Sequence, residues 1–124
     1  MNKLKLAAYW LTTVIVAGEM LAGGVWDLTR NDFVSGVMTH LGYPLYVLTL
    51  IGIWKIPGAI VLLAPKTPRL KEWAVAGCVF NYVGAAGSHA FVGDEFGSVV
   101  GPAVFTLLVL ASWALRPPER RLIG

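Results

Sequence analysis

The chain has 124 residues and a formal net charge of +3, with 56% of the residues hydrophobic and only 14% charged. Soluble domains carry roughly a quarter charged residues, so the composition excludes an ordinary soluble domain and points to a bilayer, with length for a single domain of about four spans. The basic residues fall between apolar runs and form no dense patch, which excludes nucleic acid as the partner, and the lone Cys78 excludes an internal disulfide or a CxxC redox pair.

The first apolar run covers residues 6–25 and carries one charge, Glu19. Its basic start, with Lys3 and Lys5, is similar to a secretory signal, but the run continues to Val25 without a small-x-small cleavage site, so an uncleaved first span is expected. The polar stretch from Trp26 to Gly42 holds Asp27, Arg30, Asn31, Asp32 and His40 and reads as an exposed loop with room for a short interfacial helix. The second span, residues 43–63, opens with Tyr43-Pro44, closes before Pro65, and carries Lys55 near its middle.

A short basic connection, Lys66 to Lys71, leads to a third span over residues 72–91. There Ala74, Gly77, Cys78, Asn81, Gly84, Ala85 and Ser88 recur at intervals of three and four, a stripe of small residues that in lipid lets helices approach closely. This helix is expected to be the most tightly packed. Glu72, in its first turn, is expected to complement the helix dipole. An acidic turn around Asp94 precedes the fourth span, residues 99–115, which carries no ionisable group.

The fold class expected is therefore all-α, an integral membrane four-helix bundle forming a single domain. Lys3, Lys5, Lys66, Arg69, Lys71, Arg116, Arg120 and Arg121 fall on one side of a four-span chain and Arg30 on the other. Loops rich in Lys and Arg stay cytoplasmic, so both termini are expected inside.

The ligand-pocket candidates are the polar groups within the spans: Glu19, Lys55, Asn81 and His89, with Tyr82, Ser88 and His40 as secondary candidates. A lysine at a helix centre costs about 2.5–3.5 kcal/mol on insertion scales and needs a partner. Glu19 is the acidic residue well inside a span, and the Ile53 carbonyl, freed because Pro57 has no N–H, can also accept from Lys55. Counting from the helix ends puts Lys55 and Asn81 near the midplane and Glu19 and His89 further out, a polar column opening outward. Such groups mark substrate or proton paths, or else form a structural network that fixes helix register. Two histidines and a remote cysteine, with no motif around them, make haem or zinc ligation a minor reading, and no metal is expected.

Lys55-Ile-Pro-Gly-Ala-Ile-Val-Leu-Leu-Ala-Pro65, Leu70-Lys-Glu-Trp-Ala74 with Gly77, Gly84-Ala-Ala-Gly-Ser-His89 and Gly93-Asp94, together with Glu19, resemble the DoxX-like family of small four-helix membrane proteins. The resemblance implies a bacterial inner-membrane protein. The wider family takes its name from a membrane subunit associated with thiosulfate:quinone oxidoreduction, and other members look like membrane partners of redox or stress-protection enzymes. The function expected is that of an accessory subunit for a redox-enzyme partner, rather than a stand-alone oxidoreductase, since the chain shows no cofactor motif. A quinone or other small amphipathic molecule is the expected ligand, with no resident cofactor. The alternatives are an interaction module without ligand and a small intramembrane lipid isomerase.

Overall fold

The computed structural model describes residues 2–122. It contains five α-helices, α1 Lys3–Thr29, α2 Asp32–Leu41, α3 Tyr46–Leu63, α4 Pro68–Phe91 and α5 Phe96–Ala114, and a final 3₁₀ turn, Pro118–Arg120. The chain is an all-α, multi-pass membrane protein. By length and composition α1, α3 and α5 can each cross a membrane. The helix expected as the third span, α4, has the length at 24 residues, but its polar and small residues leave it outside that group.

Local signals set the helix ends. Asn2 accepts from the Lys5 N–H at 2.8 Å and starts α1. Asn31 does the same for α2 through the Val34 N–H, with Asp32 in the first turn, where a negative charge complements the dipole. Gly42, at φ 87°, closes α2 in the left-handed conformation that glycine adopts without strain. The polar stretch, expected as an exposed loop with a short interfacial helix, does hold a short helix and is mostly helical. At its start α1 runs on to Thr29, past the expected end at Val25, which takes Asp27 out of the loop and into the last turn of the helix.

α1 and α3 run antiparallel in the closest packing of the molecule, α4 pairs with α5, α1 also touches α5, and the α3–α4 seam is the loosest of the four. Glycines set the α1–α3 contact. A Cβ on Gly52 would lie 3.0 Å from the Gly24 carbonyl oxygen and 2.8 Å from Leu28, and one on Gly24 would lie 2.7 Å from Ile56. On α4 the expectation of tight packing fails: a Cβ on Gly77, Gly84 or Gly87 would meet nothing within 4 Å. The small-residue stripe leaves space instead of bringing a helix close.

The core lies toward the end that carries both termini, where Val16, Ala17, Met20, Ala59, Leu62, Cys78, Tyr82 and Val109 form one buried cluster. Thr13 and Ser112 share a 2.6 Å hydrogen bond across α1 and α5. At that end the last carbonyls of α3 lack helical partners, and two cations supply donors. The Lys71 ammonium donates to the carbonyls of Val61 and Ala64 and, at 3.2 Å, to Thr67 Oγ1. The Arg120 guanidinium lies 3.3–3.4 Å from the Leu62, Leu63 and Ala64 carbonyls and stacks over Trp10. Cations at a helix C-terminus also favour the dipole. Lys71, expected in the connection, is therefore a buried residue of α4. Glu72, no longer in a first turn, accepts from Trp113 Nε1 at 2.7 Å and pairs with Arg116, tying α4 to the end of α5.

Large apolar side chains cover the outside, including Trp54, Trp73, Phe80 and Leu107, as a surface in contact with lipid requires. The glycine contacts give a direct comparison. Gly52→Ala is expected to destabilise the protein by about 1–3 kcal/mol through overpacking, and Gly77→Ala to leave stability unchanged or slightly raised. Unfolding midpoints of the two variants in detergent check the contrast.

Candidate functional site

Glu19, Gly23 and Asp27 recur every four residues and so stack on one face of α1. A helical side chain leans toward the N-terminus of its own helix, and the N-terminal end of α3 lies beside the C-terminal end of α1. Lys55 therefore reaches from the body of α3 toward the last turns of α1. Its Nζ is 3.0 Å from Asp27 Oδ2, with side-chain exposures of 15% and 6%. Gly23 makes the room: a Cβ there would lie 3.2 Å from Glu19 Oε1 and 3.3 Å from Lys55 Nζ. The ammonium sits along a face that carries two carboxylates and bonds the one nearer the C-terminal end of α1. Lys55 thus pairs with Asp27, and neither Glu19 nor the Ile53 carbonyl is its partner. Hydropathy ends the first span at Val25, whereas the helix continues through Asp27 and brings its carboxylate to Lys55.

Glu19 is engaged from the opposite side. The buried Tyr82 of α4 donates its hydroxyl proton to Glu19 Oε2. This contact joins α1 to α4 across the bundle, and Tyr82 in turn stacks at 5.4 Å on Phe105 of α5.

A second polar group closes the other end of the site. Asp94, in the turn between α4 and α5, accepts from both histidines, His89 Nδ1 at 2.6 Å and His40 Nε2 at 2.5 Å. The Tyr43 hydroxyl meets Ser88 Oγ at 2.7 Å. These contacts hold α2 and the α2–α3 connection against the end of α4. They matter because α2 has no buried residue of its own and packs only lightly on α1 and α3. The hydrogen bonds from His89 and then His40 keep the Asp94 carboxyl below its ordinary value of 3.8.

Between the two groups lies a cavity of about 1230 Å³, roofed by α2 and walled by α1, α3, α4 and the start of α5. Glu19, Lys55, Asn81, His89, Tyr82, Ser88 and His40 all line it, so the structure brings every candidate residue of the sequence to one space. Asn81 takes no part in the Asp27–Lys55 or Glu19–Tyr82 contacts and stands at the inner end of the cavity, where a second, apolar cavity begins. Two residues that hold the site together were missed, Asp27 and Asp94. The four-residue spacing from Glu19 through Gly23 to Asp27 carried a signal for the first; nothing local marked the second as the shared acceptor of two histidines 49 residues apart in sequence. Among the described residues no cluster of three His, Cys, Asp or Glu side chains is arranged to hold a metal ion.

Residues 11–112 match the DoxX-like family. The chain belongs to the DoxX-like family. Among curated proteins, this DoxX-like chain is similar to the uncharacterized protein YdgD of Bacillus subtilis (strain 168), at 36% identity over 77 residues, which cover 62% of this chain and 67% of the relative. No solved structure matches. The family span begins within α1 and ends near the close of α5, so it takes in Glu19, Asp27, Lys55, Tyr82 and Asp94 together.

Removing one member of a buried ion pair leaves an uncompensated charge. Lys55→Met alone is expected to cost about 3–5 kcal/mol of stability, and Lys55→Met with Asp27→Leu to recover most of it; thermal unfolding of both in detergent tests the coupling. The Asp94 tether has its own pH dependence. Because the folded value is depressed, its contribution is full above 3.8 and is lost as pH falls through the lower folded value. The protection of α2 amides from hydrogen exchange, taken relative to the intrinsic rate at each pH, is expected to hold from neutral pH to that range and to fall below it, with Asp94→Asn poorly protected already at neutral pH.

Proposed function

We propose that this DoxX-like protein crosses a bacterial inner (cell) membrane four times, through α1, α3, α4 and α5, with both termini cytoplasmic. In this reading its polar cavity takes the head of a quinone or similar amphipathic molecule as part of a membrane redox system. Two features support the topology. The basic residues concentrate at the end carrying the termini, with Lys71 and Arg120 already bound to the end of α3, and α4 has the length of a span. On this reading α2 lies along the outer face and the cavity opens outward beneath it.

The observation that carries the ligand reading is a cavity above the roughly 300–1,000 Å³ of typical small-molecule sites, with the Asp27–Lys55 and Glu19–Tyr82 pairs at one end, the His40–Asp94–His89 group at the other and apolar side chains between them. An ammonium has three donors; with one directed at Asp27, the others are free to donate to a carbonyl or an anionic ring oxygen. Asn81, with a donor and an acceptor, orients the head. Glu19, already accepting from Tyr82, is placed to take a proton from a ring hydroxyl, and His89 with Asp94 to pass one to the outer water. Electrons go to or come from a partner enzyme, which makes this chain an accessory subunit.

The test is equilibrium binding of a tail-free dimethoxy-methyl-benzoquinone to the purified protein. The wild type is expected to bind saturably, and the Asp27→Leu/Lys55→Met double variant, with its fold intact, to lose at least tenfold in affinity. Absence of saturable binding, or equal affinity in the double variant, overturns the reading.

A further inference from the structure

The apolar cavity, of about 540 Å³, runs along the α3–α4 seam. It meets the polar cavity at Ile51, Lys55 and Asn81, which line both. Apart from those two polar side chains its walls are apolar, and Trp54 and Trp73, 75% and 69% exposed, stand on either side of it at the outer surface. We propose that the ligand of the polar cavity is a lipid with one long hydrocarbon tail, that this tail lies in the α3–α4 groove, and that the molecule exchanges sideways with the bilayer between Trp54 and Trp73. This rests on the reading of the polar cavity as a head-group site and adds the substrate class and the route.

Dimensions select the occupant. The groove extends from Leu50 to Val61 on α3 and from Leu70 to Asn81 on α4, about 16 Å on each helix at 1.5 Å per residue. Its 540 Å³ spread over that length matches a single extended hydrocarbon chain lying along the seam. Continuity with the polar cavity selects a tail joined to a head group over the side of another helix, which carries no polar end to present to Lys55 and Asn81. The groove is also built as space. Gly77 has nothing within 4 Å of its Cβ position, and the α3–α4 seam is the loosest between neighbouring long helices. Where it meets the polar cavity the groove delivers a chain to Lys55 and Asn81, so a molecule lying in it presents its polar end where the head-group cavity begins. A water-soluble ligand would reach the polar cavity from beneath α2 and have no use for this second space.

The experiment compares the tail-free benzoquinone with the same head carrying a decyl tail, each bound to wild type and to Gly77→Leu in lipid nanodiscs. Taking the variant-to-wild-type ratio for each probe cancels partitioning into lipid. Gly77→Leu is expected to weaken the decyl probe at least tenfold and to change the tail-free probe less than twofold. Unchanged decyl binding overturns the groove assignment alone, as does a change in oligomeric state by cross-linking, which would make the groove a protein interface. Failure of the wild type to bind either probe removes the head-group reading and this inference with it. A measurement on the unfilled groove covers the case in which Gly77→Leu does not fold. A decyl probe brominated on its tail is expected to quench tryptophan fluorescence saturably in the wild type, and at least threefold less in Trp54→Phe/Trp73→Phe. Equal quenching in that double variant overturns the proposal.

Discussion

The ion pair between Asp27 and Lys55 is the constraint around which the rest of this molecule is arranged. A lysine and an aspartate removed from bulk water are tolerated only when they meet at hydrogen-bond distance, and the 3.0 Å contact fixes where α1 and α3 sit along one another. Close approach of the two helices depends on Gly24 and Gly52, and room for the ammonium depends on Gly23. Lys55 starts about 14 Å along α3 at 1.5 Å per residue and leans back toward the start of that helix, so its charge lies nearer the α2 end than the position of its Cα suggests.

Against this rigid pair, α4 is held off. Tyr82 bridges to Glu19, Cys78 packs on Met20, and Lys71 binds the end of α3, yet between these points the helix contributes small residues that face open volume. Two cavities result, one polar beneath α2 and one apolar along the α3–α4 seam, meeting at Lys55 and Asn81. Such volume in a bundle of this size works against packing density, and the polar contacts at both ends of α4 are what allow it to persist. At the far end, two histidines on one carboxylate do for α2 what a hydrophobic face does for most short helices.

Much of this was legible in the sequence. The apolar runs gave the long helices, and the rarity of polar residues within them picked out Glu19, Lys55, Asn81, Tyr82, Ser88 and His89, which share one cavity with His40. What failed did so for physical reasons. Hydropathy ends a span where the first charges appear and so puts Asp27 in a loop, although helical spacing continues through it. Helix α2, the short helix for which the polar stretch has room, is signalled by Asn31-Asp32 at its start, Gly42 at its end, and Phe33, Val34, Val37, Met38 and Leu41 along one side. A stripe of small residues says that something lies close to a helix or that nothing does. Composition does not distinguish the two, and on α4 it is the second.

The ionisation state of Asp27 is the most direct test of the ion pair. Difference infrared spectra of protein labelled with ¹³C-aspartate, compared with Asp27→Asn, isolate the carboxyl vibration of this one residue at neutral pH. A carboxylate band in the wild type, shifted when Lys55 is replaced by methionine, is the expected result; a protonated carboxylic acid band, or a carboxylate indifferent to Lys55, contradicts the pairing on which the site is built.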